Sequence, residues 1–180
     1  MKNPFLIGAK IYLRTIEESD ITVTYQSWFN DPEVCRFNDH HRFPMYLEQM
    51  RDYFASVIQT RENLVLAIID KETEKHLGNI SLQSIDKVNR SAEFAIIIGD
   101  KEAWGKGVGE EAGKLIIVHG FKELNLHRIV CGTSSANMGM QKLALKLGFV
   151  EEGRRREAIF KDGKYHDIVE YGMLVEETRK

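Results

Sequence analysis

The sequence predicts an α/β domain of the α+β kind, with a mixed sheet of about seven strands and about four helices packed on it. Three observations predict it. Short β-branched runs and stretches of helical periodicity follow one another in the order β-α-α-β-β-β-α-β-α-β-β, which is neither strict βα alternation nor an all-β pattern. No repeat, low-complexity tract or Gly/Ser linker interrupts the 180 residues, so residues 1–180 are expected to form one domain. A composition of 43% hydrophobic and 29% charged residues is that of a globular chain. At this length, folding buries roughly 70% of the surface the unfolded chain would expose.

The elements follow in order. Residues 10–16 alternate as a first strand. Ser19 offers an N-cap for a helix to about Phe29, ended by Asn30, Asp31 and Pro32. A second helix follows Pro44 to about Arg61, with Leu47, Met50, Phe54, Val57 and Ile58 on its apolar stripe. Residues 64–69, 76–85 and 92–98 read as strands, with 71–74 and 86–89 as hairpin loops. Val108, Ala112, Leu115, Ile116 and His119 fall at helical spacing and place a helix over about 108–124. Residues 127–132 form a β-branched strand. Met140, Leu143, Ala144 and Leu147 make the next helical stripe, with Gly148 as its C-cap. From Phe149 the chain returns to two strands, joined by a hairpin at 161–164.

Composition excludes several classes. The 25 Lys+Arg against 27 Asp+Glu leave a net charge of −2, which argues against a nucleic-acid partner. The run Arg154, Arg155, Arg156 sends alternate side chains to opposite faces of a strand and reads as a solvated edge. No apolar run approaches the ~20 residues of a spanning helix, and the first eight residues lack the apolar core of a secretory signal. Cys35 and Cys131 are too few for a disulfide scaffold and lack metal-ligand spacing. A cytoplasmic protein without a membrane partner is expected. His40 and His41 are adjacent, with no acid or Cys spaced to complete a zinc site, so no metal is expected; His119, on an apolar stripe, reads as a core residue.

The most informative stretch is Ala103, Trp104, Gly105, Lys106, Gly107, Val108, Gly109, Glu110. Three alternating glycines, placed where a helix begins, strip the backbone of side-chain walls. Several N–H groups can then converge on one anion, with the helix dipole and Lys106 adding positive charge. A diphosphate is the natural guest. The Walker pattern is absent. A dinucleotide fingerprint occurs formally at Gly107, Gly109 and Ala112, but six residues separate Ile98 from Gly105 and the strand at 128–132 ends without an acid. The ligand-free alternative is a tight turn and a close-packed helix start, with Glu110 and Glu111 placed to suit the dipole.

Here the sequence resembles the GNAT superfamily of acyl-CoA-dependent N-acyltransferases, and within it the RimJ/RimL-type branch. Gly107 and Gly109 fill the glycine slots of that family's cofactor loop, and Trp104 stands at its Gln/Arg slot, as in the branch's Trp-Gly variant. Further matches, in family order, are the run at 124–129, Asn137 ahead of Lys146, Leu147, Gly148 and Phe149, then Glu152 and Gly153, and the run at 162–167. The resemblance covers roughly residues 10–175.

It implies a mostly antiparallel sheet whose strands splay at the cofactor site, with acetyl-CoA as cosubstrate. By the resemblance, the main chain of residues 94–98, including Ile96, Ile97 and Ile98, bonds the pantetheine arm. Residues Trp104 to Gly109 take the diphosphate, Asn137 contacts the cofactor, and Lys142 meets the 3′-phosphate or faces water. Asn137 also reads as a plain helix cap.

Acetyl transfer to an amine of pKa ~10.4 needs a proton acceptor. Glu93, sharing a strand face with Ala95 and Ile97, is the candidate base through a water, with Glu157 its rival. The acid slots that relatives fill with Tyr and Ser hold Ala144 and Met140, which leaves water, Ser135 or Tyr165. Asp31, Glu33, Arg36 and Asp39 lie in the loop that lines the acceptor pocket in the family.

The expected activity is N-acetyl transfer by direct attack in a ternary complex. The acceptor is a protein N-terminus, a polyamine or an amino sugar. Residues 90–94 are also similar to spermidine N-acetyltransferases, although Ala144 departs from them. A catalytically silent acyl-CoA-binding or regulatory module is the alternative, and the resemblance leaves monomer and homodimer both open.

Overall fold

The computed structural model describes residues 1–57 and 59–179. Its strands are β1 (Leu6–Ile7), β2 (Ile11–Thr15), β3 (Leu64–Asp70), β4 (His76–Asp86), β5 (Ser91–Ile98), β6 (Arg128–Ser134), β7 (Val150–Lys161) and β8 (Lys164–Leu174). The helices are α1 (Val23–Asn30), α2 (Leu47–Val57), α3 (Val108–Lys122) and α4 (Met138–Leu147). The strands form one sheet in the order β1-β2-β3-β4-β5-β6-β8-β7. Every neighbouring pair is antiparallel except β5 and β6. Parallel neighbours need a crossover, and α3 supplies it.

Both faces of the sheet are covered. On one, Ile80, Leu82, Phe94 and Ile129 pack with Ala112, Ile116 and Ala144 of α3 and α4. On the other, Tyr25 and Trp28 of α1 meet Met50 and Phe54 of α2. Each buried Ile, Leu, Phe or Met among these contributes about 1.5–3 kcal/mol by leaving water. Gly99 fixes where α1 sits: a Cβ there would stand 1.9 Å from Trp28 Cδ2, so the indole lies directly on the backbone that follows β5.

The expected mixed, mostly antiparallel sheet with four helices is observed; its eighth strand is the two-residue β1, which pairs with β2 yet is too short to show a period. Two expectations about the helices are corrected. The first helix is capped by Thr22, whose hydroxyl accepts from the Tyr25 N–H at 3.2 Å, and not by Ser19. Residues Glu18–Asp20 form a 3₁₀ turn instead, because Asp20 is drawn into the sheet. There its carboxylate accepts from Arg14 Nη1 at 2.6 Å and Nη2 at 2.7 Å, and from the Glu17 N–H at 2.7 Å. The second helix stops at Val57, short of Arg61, and Ile58 lies outside the described residues. No described helix is long and apolar enough to cross a membrane.

Candidate functional site

The site begins where the sheet opens. β5 and β6 pair at only three positions, Ser91 with Arg128, Ala92 with Ile129, and Glu93 with Val130. Beyond them β5 stays with β4 through Ile98, while β6 stays with β8 through Ser134. A wedge therefore opens between the two strands, closed at Glu93 and widening toward Ile98 and Ser134.

Strand alternation decides which main-chain groups line it. The Gly99 N–H donates to Leu77 O of the β4 side at 3.0 Å, so odd residues of β5 turn to β4 and even ones away. Ile96 thus presents both N–H and C=O to the wedge, joined by the Phe94 C=O and the Ile98 N–H, while the Phe94 N–H is taken by Val130 O at the closed end and the Ile98 C=O by the Trp104 indole. Ile97, expected among the cofactor contacts, gives its main chain to the ladder with Asn79. Across the wedge, the Ser135 N–H goes to Asp167 O of β8, which leaves Gly132 and Ser134 facing the opening. This unpaired edge offers amide groups with which one extended chain can pair.

The glycine loop stands at the wide end. Gly105 and Gly107 have φ of +72° and +83°, a backbone conformation open to Gly, and a Cβ at either would meet nothing within 4 Å. Gly107 is the N-cap of α3 and has no side chain to satisfy the helix's first amides. The N–H groups of Trp104 and Lys106 donate to Lys101 O at 3.1 Å and Ala103 O at 3.4 Å, whereas those of Gly105, Gly107, Val108, Gly109 and Glu110 find no protein acceptor among the described residues. Gly109 differs from its two neighbours, since a Cβ there would rest 3.4 Å from Leu143 Cδ2.

Trp104 folds the loop back: its indole Nε1–H donates to Ile98 O at 2.8 Å, so it braces the turn and leaves its ring partly exposed. Glu111 reaches away, accepting from the N–H groups of Lys10 at 2.9 Å and Ile11 at 3.4 Å. Glu110 pairs with Lys114 at 2.7 Å and Lys146 at 3.7 Å, and its carboxyl is held below the usual range chiefly by the Lys114 hydrogen bond. The cradle is bare amide, dipole and the exposed Lys106. It suits an anion with several oxygens.

The predicted polar residues separate into two groups. Glu93 lies exposed at the closed end of the wedge, between Val130 of β6 and its register partner Gln83 of β4. Ser135 lies beyond the far end of β6. From Val130 to Ser134 the strand rises roughly 13 Å, so Glu93 and Ser135 cannot act on one atom. Glu157 sits on β7, two strand spacings or roughly 10 Å from β6. There it makes a bulge with φ of 49°, its N–H donating to Asp167 Oδ1 at 2.9 Å. Tyr165 is 63% exposed against Phe160 on the outer hairpin. Asn137 caps α4, its Oδ1 accepting from the Met140 N–H at 3.1 Å, and its amide nitrogen is left to offer a ligand. Lys142 faces water, and Ala144 is fully buried in the core.

The loop acids are already committed. Asp31 and Glu33 each meet Lys101 Nζ at 2.7 Å, and Asp39 meets Arg42 at 2.7 Å. The Lys101 hydrogen bond holds the Asp31 carboxyl below its usual range. Arg36 has no carboxylate partner among the described residues; its guanidinium lies 5.3 Å over the Phe37 ring.

The sequence left unremarked a polar row on β4, where Asn79, Ser81 and Gln83 share the face of Ala95 and Glu93. Its signal was the period-2 placement of polar residues in an apolar strand. Cys131, beside the wedge, is no nucleophile: burial pushes its thiol up to about 12, with the carboxylates of Glu93 and Glu170 adding to the shift.

Comparison with known proteins gives consistent findings. Residues 10–150 match the family model of the acetyltransferase (GNAT) domain. A putative ribosomal N-acetyltransferase of Bacillus subtilis, YdaF, is 37% identical over 100 residues, 56% of this chain and 54% of that one, so the match spans about half of that relative. An uncharacterized N-acetyltransferase of Bacillus licheniformis, p20, is 33% identical over 179 residues, covering 96% and 97% of the two chains. Spermidine N(1)-acetyltransferase of Vibrio cholerae is 34% identical over 172 residues, covering 90% and 91%. Among solved structures, the Vibrio cholerae spermidine N-acetyltransferase in complex with CoA and spermine superimposes with a TM-score of 0.87 at 24% identity, over 95% of this chain and 99% of that one. The RimL ribosomal alpha-N-protein acetyltransferase with coenzyme A gives 0.85 at 19%, over 95% and 97%.

Proposed function

Because the chain belongs to the GNAT acetyltransferase family, we propose that it moves an acetyl group from acetyl-CoA to a primary amine by direct attack in a ternary complex. The observation that carries this reading is the conjunction of five unpaired amides at the start of α3 with a wedge of unpaired strand edge leading away from them. A diphosphate on the cradle places the pantetheine arm along Phe94, Ile96 and Ile98, and the thioester near Glu93. A side chain at Gly105 or Gly107 would project into the open space beside the cradle.

Acetyl-CoA brings an activated acyl group, so the chain need form no covalent bond of its own. Its residues hold the two reactants in register and donate a main-chain N–H from the edge of β5 toward the thioester carbonyl. Glu93, through a water, takes the amine proton as nitrogen bonds to the carbonyl carbon and the carbon–sulfur bond breaks. The thiolate takes its proton from solvent, since the Tyr and Ser slots hold Ala144 and Met140. A protein N-terminus, a polyamine and an amino sugar all satisfy this chemistry. A cytoplasmic, reducing setting belongs to the same reading, supported by two buried cysteines that form no bridge.

The missing hydroxyl at Ala144 favours one second reading, a silent acyl-CoA-binding module. Thiol release from acetyl-CoA with a panel of amines decides between them: binding without release for any amine selects the module. In the active protein, Glu93→Gln is expected to lower kcat by about 10²-fold or more at pH 7 with CoA affinity unchanged. A full rate in that variant removes Glu93 as the base.

A further inference from the structure

The loop between α1 and α2 roofs a cavity of about 270 Å³ at the wide end of the wedge. Its lining combines Arg36 from the loop, Ser134 from β6, Lys161 from β7 and Lys164 and His166 from β8, with Asp162 the one carboxylate. Arg36 and Lys164 have no carboxylate partner among the described residues. The Lys161 ammonium donates to Asn38 O at 3.0 Å and His40 O at 2.7 Å, neutral acceptors that strap the loop to the hairpin and leave the charge in place. Of the acids outside the lining, Asp31 and Glu33 are paired with Lys101, Asp39 with Arg42, and Glu170 with Arg155 at 2.5 Å, while Glu157 and Asp167 share a separate surface recess with Arg156.

We propose that this cavity is a carboxylate subsite for the acceptor, and that the acceptor is a peptide N-terminus with an acidic residue at its third or fourth position. The proposal rests on the N-acetyl transfer reading and names its substrate class. Two facts select it. Three cations against one carboxylate repel a polyamine and attract an acid, for which the guanidinium of Arg36 offers a paired donor edge. Ser134 at the cavity and Val130 beside Glu93 lie on one face of β6, four residues apart. An amine near Glu93 and a carboxylate in the cavity are therefore spanned by three or four extended residues.

Calorimetry on the CoA-saturated protein tests this with C-terminally amidated Ser-Ala-Glu-Glu, Ser-Ala-Lys-Lys and spermidine. The acidic peptide is expected to bind at least about tenfold tighter than the other two, an advantage that shrinks with added salt. The exposed double variant Arg36→Gln, Lys164→Gln is expected to lose most of that preference while binding CoA as before. Equal or tighter binding of the lysine peptide or spermidine overturns the proposal, as does an undiminished preference in the double variant. Selective binding of the acidic peptide without its acetylation upholds the subsite and counts against the catalytic reading alone.

Discussion

Replacing Gly107 by Ala separates what the cradle does for folding from what it does for binding. The φ of +83° at Gly107 is one that an L side chain rarely adopts, and a Cβ placed there meets no heavy atom within 4 Å. Steric overlap contributes nothing, so the whole effect on stability is backbone strain, about 1–2 kcal/mol. For a chain of this size that lowers Tm by about 2–8 °C. The open space that spares the fold is where an anion must sit if the amides of residues 105 and 107–110 converge on it. The added methyl forces the anion outward and weakens one or more charge-assisted hydrogen bonds, each contributing about 1.5–3 kcal/mol. CoA affinity then falls about 10- to 100-fold. Gly109→Ala is the matched control, since its Cβ packs at 3.4 Å on Leu143 and its φ is not positive. It is expected to change affinity by less than about threefold. Calorimetry with CoA and a ligand-free thermal melt on all three proteins read both quantities. A Gly107→Ala protein that melts lower yet binds CoA like the parent refutes the reasoning, as does an equal loss of affinity in the two variants.

Two further perturbations test the frame around the site. Burial pushes the Asp20 carboxyl up, but the hydrogen bonds and charge of Arg14 outweigh it and hold it below its usual range. Its contribution to stability is therefore present above the unfolded carboxylate pKa near 4 and is lost as pH falls below it. Asp20→Asn is expected to cost about 3–5 kcal/mol at pH 7, by stranding a buried guanidinium whose Nε has no partner, and to flatten the acid limb of a Tm-against-pH curve; an unchanged limb contradicts this. Gly113→Ala puts a Cβ 2.7 Å from Leu147 Cδ1 where α3 meets α4. Denaturant unfolding is expected to register a loss of about 1–3 kcal/mol from overpacking, and no loss means the α3–α4 contact is looser than described.

The parts legible in the sequence share one property: their signal is local. Alternating glycines before Val108 announce bare amides because only Gly leaves them bare, and Gly148 closes α4 where the stripe of Met140, Leu143, Ala144 and Leu147 ends. The wedge is different. β5 leaves β6 after Glu93 and Val130 through a loss of main-chain pairing on one edge only, with no residue type to mark it. Ile97 illustrates this, since which edge a backbone faces depends on register and not on side-chain identity. Thr22 displaces Ser19 as a cap because Arg14 claims Asp20. The loop acids Asp31 and Glu33 look available for substrate until Lys101, 70 and 68 residues away, folds onto them. Lys161 and Lys164 reach the cavity only because the β7–β8 hairpin returns beside the α1–α2 loop, a long-range arrangement no short window contains.

The most direct test of the account is a backbone amide titration by NMR. On adding CoA, the resonances of Gly105, Gly107, Val108, Gly109 and Glu110 are expected to move furthest, joined by the wedge-facing amides of Ile96 and Ile98. Saturable shifts concentrated elsewhere, or none at those residues, would contradict it.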